Sequence, residues 1–139
     1  VIEFRVDGVP VPQGSKTVAQ GGGKAWLRDA NGAKLKPWRA LVQSVAEAAL
    51  LEAGGVGFDC PVELHVTFFM PRPKKPKFYL PATKPDIDKL LRAVMDALTK
   101  ASVIRDDSRV TAVSMYESFA DDLNSAGVDV SVFEDRREQ

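Results

Sequence analysis

The chain has 139 residues, 45% hydrophobic and 27% charged, which fits one soluble globular domain, residues 1–139, with a sizeable core. No apolar run is long enough to cross a bilayer, and a single Cys60 and a single His65 exclude an intrachain disulfide and argue against a zinc site within one chain. The net charge of zero hides an asymmetry: residues 1–105 carry 16 Lys/Arg against 10 Asp/Glu, and residues 106–139 carry 3 against 9.

Ile2, Phe4 and Val6 alternate with Glu3 and Arg5, so residues 1–6 are expected to form a strand that ends at Asp7-Gly8. Val9-Pro10-Val11-Pro12 is extended, because proline and the residue before it avoid helical angles. Residues 13–34, with glycines 21–23 and Asn31-Gly32, read as loop with room for a hairpin. The Gly-rich stretch lacks the Gly-Lys-Ser/Thr ending of a phosphate-binding P-loop. Pro37 is placed at the first turn of a helix running to about Ala53, stopped by Gly54-Gly55. Residues 61–70 form the clearest strand, with Val62, Leu64, Val66, Phe68 and Met70 on one side and Glu63, His65, Thr67 and Phe69 on the other. His65 is read as an ordinary sheet-face histidine. Pro71-Arg72-Pro73-Lys74-Lys75-Pro76-Lys77 is a proline-stiffened basic loop.

A second helix is expected over 86–100, with Ile87, Leu90, Leu91, Val94 and Leu98 as its buried stripe. Residues 109–119 and 127–133 read as two strands of a hairpin turning at Asp121–Ser125. The order β-α-β-α-β-β predicts an α+β (mixed α/β) single domain with about four strands in a mixed sheet and two main helices.

The chemistry concentrates at the start of the second helix. Asp86 and Asp88 lie two residues apart, which on a helix is about 200° around the axis, so both can face one site only if Asp86 is the N-cap, outside the helix proper. Arg92, four residues after Asp88, shares its face. A second acidic pair, Asp106-Asp107, follows the helix. A helix over 86–100 is roughly 22 Å long, and an extended return from Lys100 to Asp107 covers about 23 Å, so Asp107 reaches the first pair only at the limit of the chain. If the chain bends on the way, a dimer partner supplies that carboxylate instead. Carboxylates gathered this way suit one or two Mg²⁺ ions, with Mn²⁺ as a substitute, because hard cations take oxygen ligands. Lys74, Lys75, Lys77, Lys84 and Lys89 surround them, and that charge suits a polyanion such as DNA. Each feature also has a plain alternative: Asp86 as a helix cap, Asp88 and Arg92 as a surface pair, Asp106-Asp107 as a turn, Asp96 as a salt-bridging residue, and the lysines as a solvated face.

Lys84-Pro85-Asp86-Ile87-Asp88-Lys89-Leu90-Leu91-Arg92, the Asp96-Ala97-Leu98 that follows, and Arg105-Asp106-Asp107-Ser108 together resemble the RusA-type Holliday junction resolvases, a family frequent in phages and prophages. Val11-Pro12-Gln13-Gly14-Ser15-Lys16 is similar to that family's N-terminal motif. The resemblance implies that Asp86, Asp88 and Asp107 bind metal, with Asp106 beside the last. It implies a homodimer acting on four-way DNA junctions by paired nicks, with no small organic cofactor; the single cysteine fits a reducing cytoplasm, and the lack of a long apolar run argues against a membrane span. Arg92 stands where the family has a catalytically important lysine and Lys89 where asparagine is common. Arg keeps the charge but does not give up a proton at ordinary pH, which puts a general-acid role at that position in doubt. Gln13, Ser15 and Lys16 are expected DNA contacts. The rivals are a metal nuclease acting on flaps or other branched replication intermediates, and a catalytically silent DNA-binding module of the same fold.

Overall fold

A computed structural model describes residues 1–14, 16–21, 24–29 and 32–139; of 16–21 and 24–29 it describes the backbone. The elements are β1 (Ile2–Asp7), β2 (Lys16–Gly21), β3 (Lys24–Asp29), α1 (Gly32–Glu52), β4 (Val62–Met70), α2 (Ile87–Lys100), a 3₁₀ turn (Asp107–Arg109), β5 (Val110–Phe119) and β6 (Gly127–Glu134). This is the expected α+β domain. Strands β2 and β3 pair as the antiparallel hairpin for which the glycine-rich stretch left room.

The main sheet has the order β1-β6-β4-β5. Strand β4 is central because it is apolar on one side along its whole length: Val62, Leu64, Val66, Phe68 and Met70 are all buried. It pairs with β5 in parallel and with β6 antiparallel. The expected β5–β6 hairpin is not formed. Asp121 does make the turn, its carboxylate accepting from the Leu123 and Asn124 amides at 2.9 and 2.7 Å. The chain then passes across the end of β4 and inserts β6 between β4 and β1. Val128, Val130 and Val132 are buried there, and a strand lined with β-branched residues gains more from two neighbours than from one.

Helix α1 begins earlier than Pro37 suggested. Leu35, Trp38, Val42, Ala46 and Leu50 are buried along one stripe, and burying Leu35 favours the extra turn, with Pro37 inside it. Helix α2 buries Leu90, Ala93, Val94, Ala97 and Leu98 completely, a stripe at helical spacing that packs with β4 and α1 in one core. Each Leu or Val buried this way contributes about 1.5–3 kcal/mol. The small Ala93 and Ala97 suit the close approach of α1, which lies against both α2 and β1. The fold therefore fixes α2 rigidly, and with it every polar side chain on its outer face.

Candidate functional site

Asp86 is the N-cap of α2, extended at φ −70° and ψ 142°, and its carboxylate makes no capping hydrogen bond. Pro85 precedes it, and the Asp86 carbonyl accepts from the Lys89 and Leu90 amides at 3.1 and 3.2 Å. The backbone thus starts the helix while the side chain stays free for other work. Its partner is Lys84, whose ammonium donates to the two carboxylate oxygens at 2.9 and 3.1 Å. Lys84 is 86% exposed, and an ion pair in that setting is worth at most about 1 kcal/mol, so a cation or a phosphate displaces it cheaply. Asp88, exposed in the first turn of α2, has no ion-pair partner within 4.0 Å among the described residues.

Two grooves meet at Asp86. One, of about 450 Å³, is lined by Val9–Pro12, Lys34, Met70, Lys84, Pro85 and Lys89 as well as Asp86. The other, of about 480 Å³, is lined by residues 81–88 and by Glu117. Lys34 and Glu117 are site residues that the sequence reading missed. Glu117 lies opposite Phe68 in the β4–β5 register, so it shares the sheet face that the helices cover. Val113, Met115 and Phe119 share that side of β5, and an acidic residue inside such an alternation was the available signal. Its Oε1 is buried with no hydrogen-bond partner. Burial, and then the nearby Asp86 charge, push its carboxyl pKa up. This unpartnered carboxylate oxygen lines the same groove as Asp86 and Asp88; oxygen donors are what a hard divalent cation takes, but the three do not complete a metal site by themselves.

Asp107 is elsewhere. Beyond α2 the chain does not run back extended: it turns at Ala101 and Ser102 and buries Val103 and Ile104. The Ser102 and Val103 amides close the turn onto Thr99 and Leu98 carbonyls at 3.1 and 3.0 Å. Asp107 then receives the Thr99 hydroxyl at 2.6 Å, at the C-terminal end of the helix. Asp88 and Thr99 are roughly 16 Å apart along the α2 axis, so one chain does not bring Asp107 to the first aspartates. Among the described residues, no three of His, Cys, Asp and Glu are gathered closely enough to hold a metal ion. Asp106 caps the 3₁₀ turn, accepting from the Ser108 amide at 2.8 Å. Hydrogen bonds from Ser108, side chain and backbone, lower its pKa. Arg109 pairs with Asp59 at 2.8 Å nearby.

The N-terminal motif docks on α2. The Gln13 amide donates to the Lys89 carbonyl at 3.0 Å, and the Gln13 side-chain oxygen accepts from Arg39 at 3.0 Å. Arg39 in turn lies 3.6 Å from Asp96, which also pairs with Lys100 at 3.2 Å. Gln13 and Asp96 therefore tie the loop and the two helices together. Gly14, at φ +100°, packs so closely on Arg92 that a Cβ there would lie 2.3 Å from the guanidinium Nη1. This contact places the exposed Arg92 head group. Ser15 and the Lys16 side chain lie outside the described residues. Lys74, Lys75 and Lys77 are exposed on the loop between β4 and α2. His65 is exposed on the open sheet face, edge-on to Phe133 with 5.0 Å between ring centroids, as a sheet-face histidine.

An acidic helix start edged by cations, on a sheet that holds it rigid, suits metal-assisted chemistry on a polyanion. The comparisons agree: the family Endodeoxyribonuclease RusA matches residues 7–132, and the chain belongs to that family. A crossover junction endodeoxyribonuclease rusA from Lactococcus phage r1t is 28% identical over 109 residues, covering 78% of this chain and 79% of that protein. An uncharacterized protein, YqaN, of Bacillus subtilis (strain 168) is 30% identical over 128 residues, covering 87% and 89%. The chain is accordingly an endonuclease of the resolvase family.

Proposed function

We propose that the protein is a Mg²⁺-dependent, structure-selective endodeoxyribonuclease that resolves four-way DNA junctions as a homodimer, in recombination and repair, in the cytoplasm. The observation that carries the dimer is the separation of Asp86 and Asp88 from Asp107 along α2. Asp86 and Asp88, with Glu117 beside them, would hold the metal together with Asp107 of a second copy. Two-fold symmetry then yields two such sites, one for each of two opposed strands.

Held by these carboxylates, a divalent cation would supply Lewis acidity to the scissile phosphate and to an attacking water. The protein's own groups do the rest. Lys34, Lys84 and Lys89 line the groove and hold backbone phosphates. Arg92, fixed by Gly14, places a guanidinium against the charge that develops on phosphorus. A guanidinium is too weak an acid to serve as a proton donor, so the leaving oxygen takes its proton from water.

The test compares a mobile four-way junction, a flap and a linear duplex, with Mg²⁺ and with EDTA, beside Asp88→Asn. Metal-dependent cutting of the junction well ahead of the other two, lost in Asp88→Asn, is expected. A flap cut faster than the junction would make it a nuclease of other branched DNA. Binding without metal-dependent cutting would make it a silent module.

A further inference from the structure

Apart from Lys84, the segment joining β4 to α2 carries chemistry that the proposed metal site does not use. Residues 71–85 contain Arg72, Lys74, Lys75, Lys77 and Lys84 and no acidic residue. Pro71, Pro73, Pro76, Pro81 and Pro85 restrict the backbone, so the segment holds a shape without being a helix or a strand. At its middle, Phe78, Tyr79 and Leu80 are 45%, 90% and 47% exposed. Three consecutive apolar side chains in water, on a stiff support, mark a contact surface. The Lys77 ammonium lies 5.4 Å from the Phe78 ring centroid, so the apolar triplet is edged by charge. Behind it is a cavity of about 390 Å³ whose lining includes Arg72, Lys77, Phe78, Leu80, Lys84 and Glu117. Glu117 also lines the groove of Asp86 and Asp88, so the triplet stands beside the acidic site.

We infer that Tyr79, flanked by Phe78 and Leu80, is a wedge that stacks on bases opened at the DNA branch point. This inference rests on the reading of the protein as a branched-DNA endonuclease. Charge selects the occupant: a segment with five cations and no acid repels another copy of itself and attracts a polyanion. The aromatic triplet then selects among polyanions. In a continuous duplex every base is paired and stacked, so the wedge finds no seat. At a branch point the stack is already broken, and an aromatic face can take the place of a missing neighbour. Stacking of this kind has no preference for base identity, so the wedge contributes selectivity for structure, not for sequence. The surrounding cations hold the phosphates of the arms at the same time.

The test uses a four-way junction with 2-aminopurine either at the branch point or within an arm, bound with Ca²⁺ in place of Mg²⁺. Stacking quenches 2-aminopurine, so the full chain is expected to lower the fluorescence of the branch-point label and not that of the arm label. Tyr79→Ala is expected to abolish that fall and to weaken junction binding by about tenfold to a hundredfold. Its affinity for linear duplex should stay within about twofold, because phosphate contacts carry that binding. Tyr79→Trp should restore the signal. Tyr79 is almost wholly in solvent, and an unchanged melting temperature of Tyr79→Ala confirms that the fold is intact. If the unsubstituted chain prefers and cuts the junction while Tyr79→Ala gives the same fluorescence and preference, the wedge is wrong and the endonuclease reading stands. If the unsubstituted chain shows no preference for the junction, both fall. If Tyr79→Ala changes the oligomeric state in sedimentation, the triplet is a protein interface and the wedge is refuted.

Discussion

Gly14→Ala separates the placement of Arg92 from its chemistry. Gly14 adopts φ +100°, which an alanine reaches only with strain of about 1–2 kcal/mol. The added Cβ would also stand 2.3 Å from Arg92 Nη1, 3.2 Å from its Cζ and 3.3 Å from its Cδ. The closest atom is the far end of a flexible side chain, so the guanidinium moves by about 1 Å at little further cost in stability. Melting should therefore fall by only about 3–8 °C. Cleavage should suffer more, because displacing a charged group by about 1 Å from its working position costs up to roughly a hundredfold. The assay is single-turnover junction cleavage beside thermal melting, for Gly14→Ala, Arg92→Ala and the double variant. In the Arg92→Ala background the clash is gone, so adding Gly14→Ala should lower melting again without a further loss of cleavage. An equal proportional loss of cleavage in both backgrounds would refute the claim that Gly14 acts through Arg92.

Glu117→Gln should stabilise the metal-free protein at neutral pH and weaken Mn²⁺ binding measured by calorimetry. Its raised carboxyl pKa is a folding penalty that is absent below the unfolded pKa and grows as pH rises towards the folded one, so the stabilisation should vanish in acid. Asp135, whose side chain is 5% exposed, accepts from Thr111 at 2.6 Å and from Arg137 at 2.7 Å, contacts that hold its pKa well below the usual carboxylate range. Its contribution is present above the unfolded pKa and lost as pH falls through the folded one; Asp135→Asn should lower stability at neutral pH and flatten the acid limb of the melting curve. Leu98→Ala, at a fully buried position of α2, should cost about 2–5 kcal/mol in denaturant titration without altering metal affinity of the folded fraction.

Much of this was legible in the sequence where a local rule acts without competition. Helix α2 has one apolar stripe and a proline before its cap, so its bounds and the non-helical Asp86 follow from spacing. Strand β4 alternates over nine residues and could be read the same way. The order of strands could not: Asp121 encodes a turn, but whether the following strand pairs with β5 or crosses to β4 depends on which neighbours best cover Val128, Val130 and Val132. The start of α1 was missed because Pro37 is a strong local signal, overridden by the burial of Leu35. Distance arguments allowed Asp107 to return to Asp86, yet the chain gains more by burying Val103 and Ile104 than by running extended. Glu117 was overlooked because it stands outside any acidic motif; only its register opposite Phe68 brings it to the site.

The division of the metal site between two copies is the central claim, and mixing two inactive variants tests it most directly. Asp88→Asn and Asp107→Asn should each abolish junction cleavage alone. If Asp107 acts across the dimer, a mixed dimer has one site carrying both changes and one site intact. Equal amounts, with subunit exchange verified by affinity tags, should then recover nicking at about a quarter of the unsubstituted site number. A mixture that exchanges subunits and remains inactive would contradict the shared site and place all three aspartates in one chain.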